Sequence, residues 1–142
     1  MDEEFKFIKD YLILQKRRFD DDLDFTIEAE EGVNLDIIKI PHSLIFTFVE
    51  NAVKHGLLHK SKNRKLNIFI KKVKSKIIIT ITDNGIGRKQ SEKLKTTGTG
   101  KGLGIVANIV DGYNKLNNRK ITYKIIDVVD DVGVGTEVRV EV

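Results

Sequence analysis

Two runs of β-branched residues, LNIFIKKV at residues 66–73 and KIIITITD at residues 76–83, are separated only by a short Lys/Ser turn. β-Branched side chains fit the pleated surface of a sheet, so the pair is expected to fold as a β-hairpin. A second pair, KITYKIIDVV and TEVRVEV, closes the chain and is joined through residues 130–135, a stretch rich in Asp and Gly. Strands joined by hairpins at two places require a mixed or antiparallel sheet, not a doubly wound parallel one. DFTIEAE, at residues 24–30, alternates apolar and polar side chains as a half-buried strand does, and brings the expected sheet to about five strands.

Three segments have helical periodicity instead. In residues 3–19, Phe5, Ile8, Leu12 and Phe19 recur at near-helical spacing, and Lys16, Arg17 and Arg18 load the end that favours cations. Around FVENAVKHG, at residues 48–56, Leu44, Ile45, Phe48, Val49, Ala52 and Val53 fill one apolar arc of a helix. Thr47, Asn51, Lys54 and His55 share the neighbouring arc, with Asn51 on the border. That polar arc reads either as a solvated face or as the edge of a site. Pro41 suits the first turn of this helix. The third segment, GLGIVANIVDGYNKLN, places Leu103, Val106, Val110 and Tyr113 on one face. The expected fold is α+β: a two-layer sandwich with three helices on one face of a mixed, mostly antiparallel sheet.

A length of 142 residues with 40% hydrophobic side chains suits one globular domain with a real core. The 25 basic and 21 acidic residues leave a net charge of only +4, so a nucleic-acid partner is not indicated. Without cysteine, disulfides and thiolate metal sites are excluded. The opening MDEEFKF is acidic where a signal peptide is basic, and no apolar run approaches the roughly 20 residues that span a bilayer. Direct membrane contact by this chain is therefore not expected.

Between the second hairpin strand and the third helix the chain turns polar and glycine-rich. Residues 84–101 are expected to form a long loop, and loops longer than about 12 residues are usually functional lids or disordered segments. Asp83 stands where the strand runs out, followed by Asn84, Gly85, Ile86 and Gly87. Glycines spaced by one let the backbone approach a ligand, and a carboxylate, which only accepts, can read an exocyclic amine such as that of adenine. An Asp-Asn-Gly hairpin turn is the competing reading. GTGKGLG, at residues 98–104, precedes the third helix, whose N-terminal N–H groups could receive phosphate oxygens. A Walker A loop fails here, because Lys95 occupies its first glycine position and Gly102 its Ser/Thr position. GLGIVA has the Rossmann spacing but follows a polar loop instead of a strand. A flexible linker remains the structural alternative.

Taken in order, FVENAVKHG, DNGIGRK, GTGKGLGI and VGTEV resemble the asparagine box and the three glycine boxes of the gyrase, heat-shock chaperone, histidine kinase and MutL ATPase superfamily. The resemblance runs from about Asp24 to Val142 and is closest to the ATP-binding catalytic domain of LytS/YehU-type sensor histidine kinases, whose asparagine box IPHSLIFTFVENAVKHGL is similar to. FIKDYLILQKRRF likewise resembles the segment linking that subgroup's dimerisation helices to its catalytic domain. The resemblance implies a linker helix at residues 1–19 and an ATP-binding catalytic domain at residues 20–142. It implies that Asn51 coordinates Mg²⁺ bridging the phosphates. Lys54 and His55 would face phosphate or ribose, and Asp83 would bind the adenine amine, with Gly85 and Gly87 admitting the base. Residues 88–101 would be the ATP lid; Gly100, Lys101, Gly102, Leu103 and Gly104 would meet the nucleotide at its end, and Thr136 would back Asp83.

Departures from the pattern refine these expectations. The gyrase and MutL branches activate water with a Glu four residues before the box asparagine, a position held here by Thr47. Glu50 is adjacent to Asn51 and points about 100° away on a helix, so efficient hydrolysis is not expected. The lid lacks phenylalanine, in keeping with the LytS-type subgroup. Only His42, His55 and His59 are present, all in or beside the asparagine-box helix, so this chain alone is not expected to autophosphorylate. The implied partners are a dimerisation domain bearing the phosphoacceptor His and a response regulator, in the cytoplasm, within a parent commonly anchored in the membrane. An anti-sigma-type Ser/Thr kinase and a degenerate nucleotide-binding scaffold are the alternatives.

Overall fold

The computed structural model describes residues 1–88, 101–130 and 133–142. In chain order they form α1 (Asp2–Arg18), β1 (Leu23–Ala29), a short 3-10 turn (Leu35–Ile37) and α2 (Leu44–Asn51), which runs on as a π-helical segment (Ala52–Leu57). β2 (Arg64–Val73), β3 (Lys76–Asp83), α3 (Lys101–Leu116), β4 (Thr122–Asp130) and β5 (Gly133–Glu141) follow. The sheet order is β1-β2-β3-β5-β4. Both hairpins are present, and β3 pairs antiparallel with β5, which makes Asp83 the neighbour of Leu66 on one side and of Thr136 on the other. β1 pairs parallel with β2, a connection that needs a crossover, here made through α2.

Alternation along the strands separates the two faces. Leu66, Ile68 and Ile70 of β2 and Ile79 and Ile81 of β3 are buried, while Lys65, Asn67 and Phe69 face outward. The helices cover the first face with Phe5, Ile8 and Leu12 of α1, Leu44, Ile45, Phe48 and Val49 of α2, and Val106 and Val110 of α3. This is the expected two-layer sandwich. Among the described residues no helix is long and apolar enough to cross a membrane.

Local details differ from the sequence expectation. Pro41 is not in the first turn of α2: its carbonyl accepts from Leu44 N in the preceding turn, and Ser43 enters the helix in the left-handed region with φ 65°. The 3.6-residue period also ends at Asn51, where the backbone widens and Leu58 N reaches back five residues to Val53 O. Leu103 shares a helix with Val106 and Val110 yet remains 37% exposed at its first turn. The last hairpin pairs as far as Asp130↔Gly133, so β5 starts before Thr136.

Leu12 is fully buried in the same cluster as the strand residues. Leu12→Ala is expected to cost about 2–5 kcal/mol, read as a lowered urea midpoint in one cooperative transition. An unchanged midpoint, or a separate early transition, would show that α1 unfolds apart from the sheet.

Candidate functional site

Continuing the inward alternation of Ile79 and Ile81 puts the next inward position, at the very end of β3, on Asp83. Its side chain is therefore turned to the core face and is only 6% exposed. Removing a carboxylate from water favours its neutral form, and burial pushes the Asp83 carboxyl up to about 6. The Gly85 N–H, which donates to Oδ1 at 2.9 Å, and the nearby Lys60 ammonium oppose that rise. Among the described residues Oδ2 accepts no hydrogen bond. Among the described residues one oxygen is thus held by its own loop and the other has no donor.

Three backbones close on Asp83, two of them on its carboxylate. A Cβ at Gly56 would lie 2.8 Å from Asp83 Oδ1, and one at Gly85 would lie 2.4 Å from the backbone of Gly56. At Gly135 a Cβ would come within 2.1 Å of the Asp83 carbonyl oxygen. None of these places admits a side chain. Gly87 turns with φ +84°, a conformation glycine adopts without strain, beside Val134. The π-helical widening at residues 52–57 ends the helix with Gly56 against this cluster, and Ile86 N donates to Gly56 O at 3.3 Å. Asn84 locks the loop to the sheet: its Oδ1 accepts from Lys65 N at 2.7 Å, its Nδ2 donates to Asn63 O at 2.7 Å, and its carbonyl accepts from Lys60 Nζ at 2.9 Å.

Asn51, Lys54 and His55 lie on the helix and π-helical segment that lead into Gly56. Lys54 pairs with Glu50 at 2.8 Å and is otherwise well exposed. The His55 imidazole is lowered below its usual pKa, first by burial and then by His59 and Lys54, so it is neutral at pH 7. Among the described residues no group of three or more His, Cys, Asp or Glu could hold a metal ion. The Asn51 side-chain oxygen is a hard donor of the kind Mg²⁺ takes.

Thr136 stands beside Asp83 in register across β3 and β5. Lys101, Gly102, Leu103 and Gly104 form the first turn of α3, and a Cβ at Gly104 would meet open space. Gly100 and residues 89–100 of the expected lid lie outside the described residues. Sequence reasoning had assigned no role to Gly56, Gly135, Lys60 or Asn84. Gly56 and Gly135 stood inside the quoted motifs, and Gly135 directly precedes Thr136, the in-register neighbour of Asp83. Lys60 carries no pattern that would have singled it out.

The chain is 39% identical over 89 residues to an uncharacterised sensor-like histidine kinase of Staphylococcus epidermidis, covering 63% of this chain and 17% of that protein. It is 32% identical over 106 residues to the sensor protein LytS of Enterococcus faecalis, covering 72% of this chain and 18% of that protein. The chain thus spans less than a fifth of the length of these relatives. Among solved structures, the catalytic domain of histidine kinase ThkA superposes with a TM-score of 0.65 at 20% identity, over 100% of this chain and 91% of that one. The mycobacterial sensor histidine kinase MprB gives 0.63 at 17% identity, over 97% and 92%. The family model for histidine kinase-, DNA gyrase B- and HSP90-like ATPases matches residues 36–142. The chain belongs to that ATPase family.

Proposed function

We propose that this chain is the ATP-binding catalytic domain of a two-component sensor histidine kinase, and that it hands the γ-phosphate of ATP to a His on a separate dimerisation segment. The observation that carries the reading is the Asp83 carboxylate, buried among glycine backbones and, among the described residues, accepting only at Oδ1, which leaves Oδ2 to accept from an amine. Sensor kinases recur among the relatives, and ThkA is known in complex with a response regulator, TrrA. A response regulator is the corresponding downstream partner proposed here.

Asp83 Oδ2 accepts from the adenine amine, while Gly56, Gly85 and Gly135 let the surrounding backbone pack close enough to hold Asp83 in place. Asn51 supplies a neutral oxygen toward the phosphates, and Mg²⁺ bound there would neutralise charge on them. Lys54 can exchange Glu50 for phosphate oxygens at little cost, since exposed ion pairs are weak. Among the described residues nothing beside Asn51 is poised to activate water: Thr47 Oγ1 donates to Ser43 O at 2.8 Å, and Glu50 is turned to Lys54. The γ-phosphate is thereby kept for a protein acceptor. His42, His55 and His59 all lie around this same helix, so the acceptor is placed on another segment.

Calorimetric titration of Mg-ATP is expected to give micromolar to sub-millimolar binding to the wild type and none to folded Asp83→Ala. An added dimerisation fragment should then gain acid-labile phosphate. Acid-stable phosphate would indicate a Ser/Thr kinase, and no binding to the folded wild type would leave a degenerate scaffold.

The raised Asp83 carboxyl adds a pH signature. Its unfolded value, 3.8, lies below its folded value of about 6, so the folded state holds the proton more tightly. The associated stability is fully present below pH 3.8 and is lost as pH rises through about 6, an increment of roughly 3 kcal/mol. Asp83→Asn should therefore gain on the wild type in urea unfolding between pH 4 and pH 8. Nucleotide binding needs the ionised form, so wild-type affinity should weaken below about pH 6, and more steeply than that of Asp83→Asn.

A further inference from the structure

Among the described residues two acidic side chains are buried, and they lie at opposite ends of one helical segment. Asp83 meets its C-terminal end at Gly56. At the N-terminal end stands Glu4 of α1, 9% exposed, whose Oε1 accepts from Phe46 N at 3.0 Å across 42 residues of chain. Phe46 is in the first turn of α2, where N–H groups have no intrahelical partner and a carboxylate complements the helix dipole. The segment needs this outside cap because Ser43, at the N-cap position, makes no side-chain cap bond. The Phe46 ring is held in turn between Phe7 and Tyr11 of α1, edge-on to both at 5.0 and 5.1 Å.

Asn51, Lys54 and His55 therefore hang between two pins. The C-terminal pin is part of the nucleotide site, but the N-terminal pin belongs to α1. At 1.5 Å per residue, Asn51 lies about 7.5 Å from Phe46 and about as far from Gly56. A shift of about 1 Å at the Glu4 end, pivoting on Gly56, moves Asn51 by roughly half that, enough to spoil a metal–phosphate contact.

We infer that Glu4 is a positioning residue for the nucleotide site: from α1 it sets the axis of the helix that presents Asn51, so nucleotide affinity follows the placement of α1. The inference rests on the proposed nucleotide-binding role. A purely structural cap would differ in one respect, lowering the melting temperature while leaving folded molecules with unchanged affinity.

The test is calorimetric titration of Mg-ADP at a temperature where every variant is folded by circular dichroism. Glu4→Gln keeps a carbonyl acceptor at the same reach and should bind within about twofold of wild type. Glu4→Ala should bind roughly 3- to 10-fold more weakly. Glu4→Asp keeps the charge but shortens the reach by one methylene, and should also weaken binding if Glu4→Ala proves too unstable to measure. Leu14→Ala, on the exposed side of α1, should bind like wild type. Glu4→Ala or Glu4→Asp binding as tightly as wild type, with only the melting temperature lowered, overturns the inference. A wild type that binds no nucleotide would instead overturn the functional reading beneath it, so the two failures are distinguishable.

Discussion

Close backbone approach around one buried carboxylate is the constraint on which the rest of the site depends. Gly56, Gly85 and Gly135 come from three different parts of the chain, and all crowd Asp83 at distances that exclude a Cβ. The widened segment after Asn51 ends with Gly56 against the strand end. The ring of backbone explains the raised Asp83 carboxyl, because little water reaches a group walled by peptide planes. A site of this form selects for shape as much as for charge.

On the proposed function, the same segment would decide what is done with a bound phosphate. A hydrolase needs a base in line with the terminal phosphate, but Thr47 is bonded back to its own helix and Glu50 is paired with Lys54. Phosphoryl transfer relies largely on positioning and charge neutralisation, so the absence of such a base among the described residues costs a kinase little. Family membership alone would not separate these outcomes, because the family spans kinases, gyrases and chaperones.

Much of the architecture was legible in local patterns. The β-branched runs foretold both hairpins, and alternation through Ile79 and Ile81 carries Asp83 to the inner face, so its burial was implicit in the spacing. The order of the four motifs pointed to the family. Features set by distant partners were not legible. Nothing in residues 24–30 indicates that β1 pairs parallel with β2, since alternation reports burial and not neighbours. The π-helical segment escaped notice because a 3.6-residue period was assumed throughout. Glu4 escaped because its partner, the Phe46 N–H, is 42 residues away and carries no side-chain signature. Pro41 was misplaced because a proline that favours a first turn also suits the turn before it.

The parallel pairing of β1 with β2 bears on how the chain assembles as it is made. β2 and β3 are joined by a tight turn, whereas Leu23 must wait for Arg64, about 40 residues downstream. Synthesis runs from the N-terminus, so α1 and β1 emerge with Ile8, Leu12 and Leu23 uncovered while their partners are still being added. This segment thus stays only partly covered until β2 has followed it. During that interval its apolar side chains need shielding from neighbouring nascent chains, a demand placed on the cell's folding machinery by strand order alone.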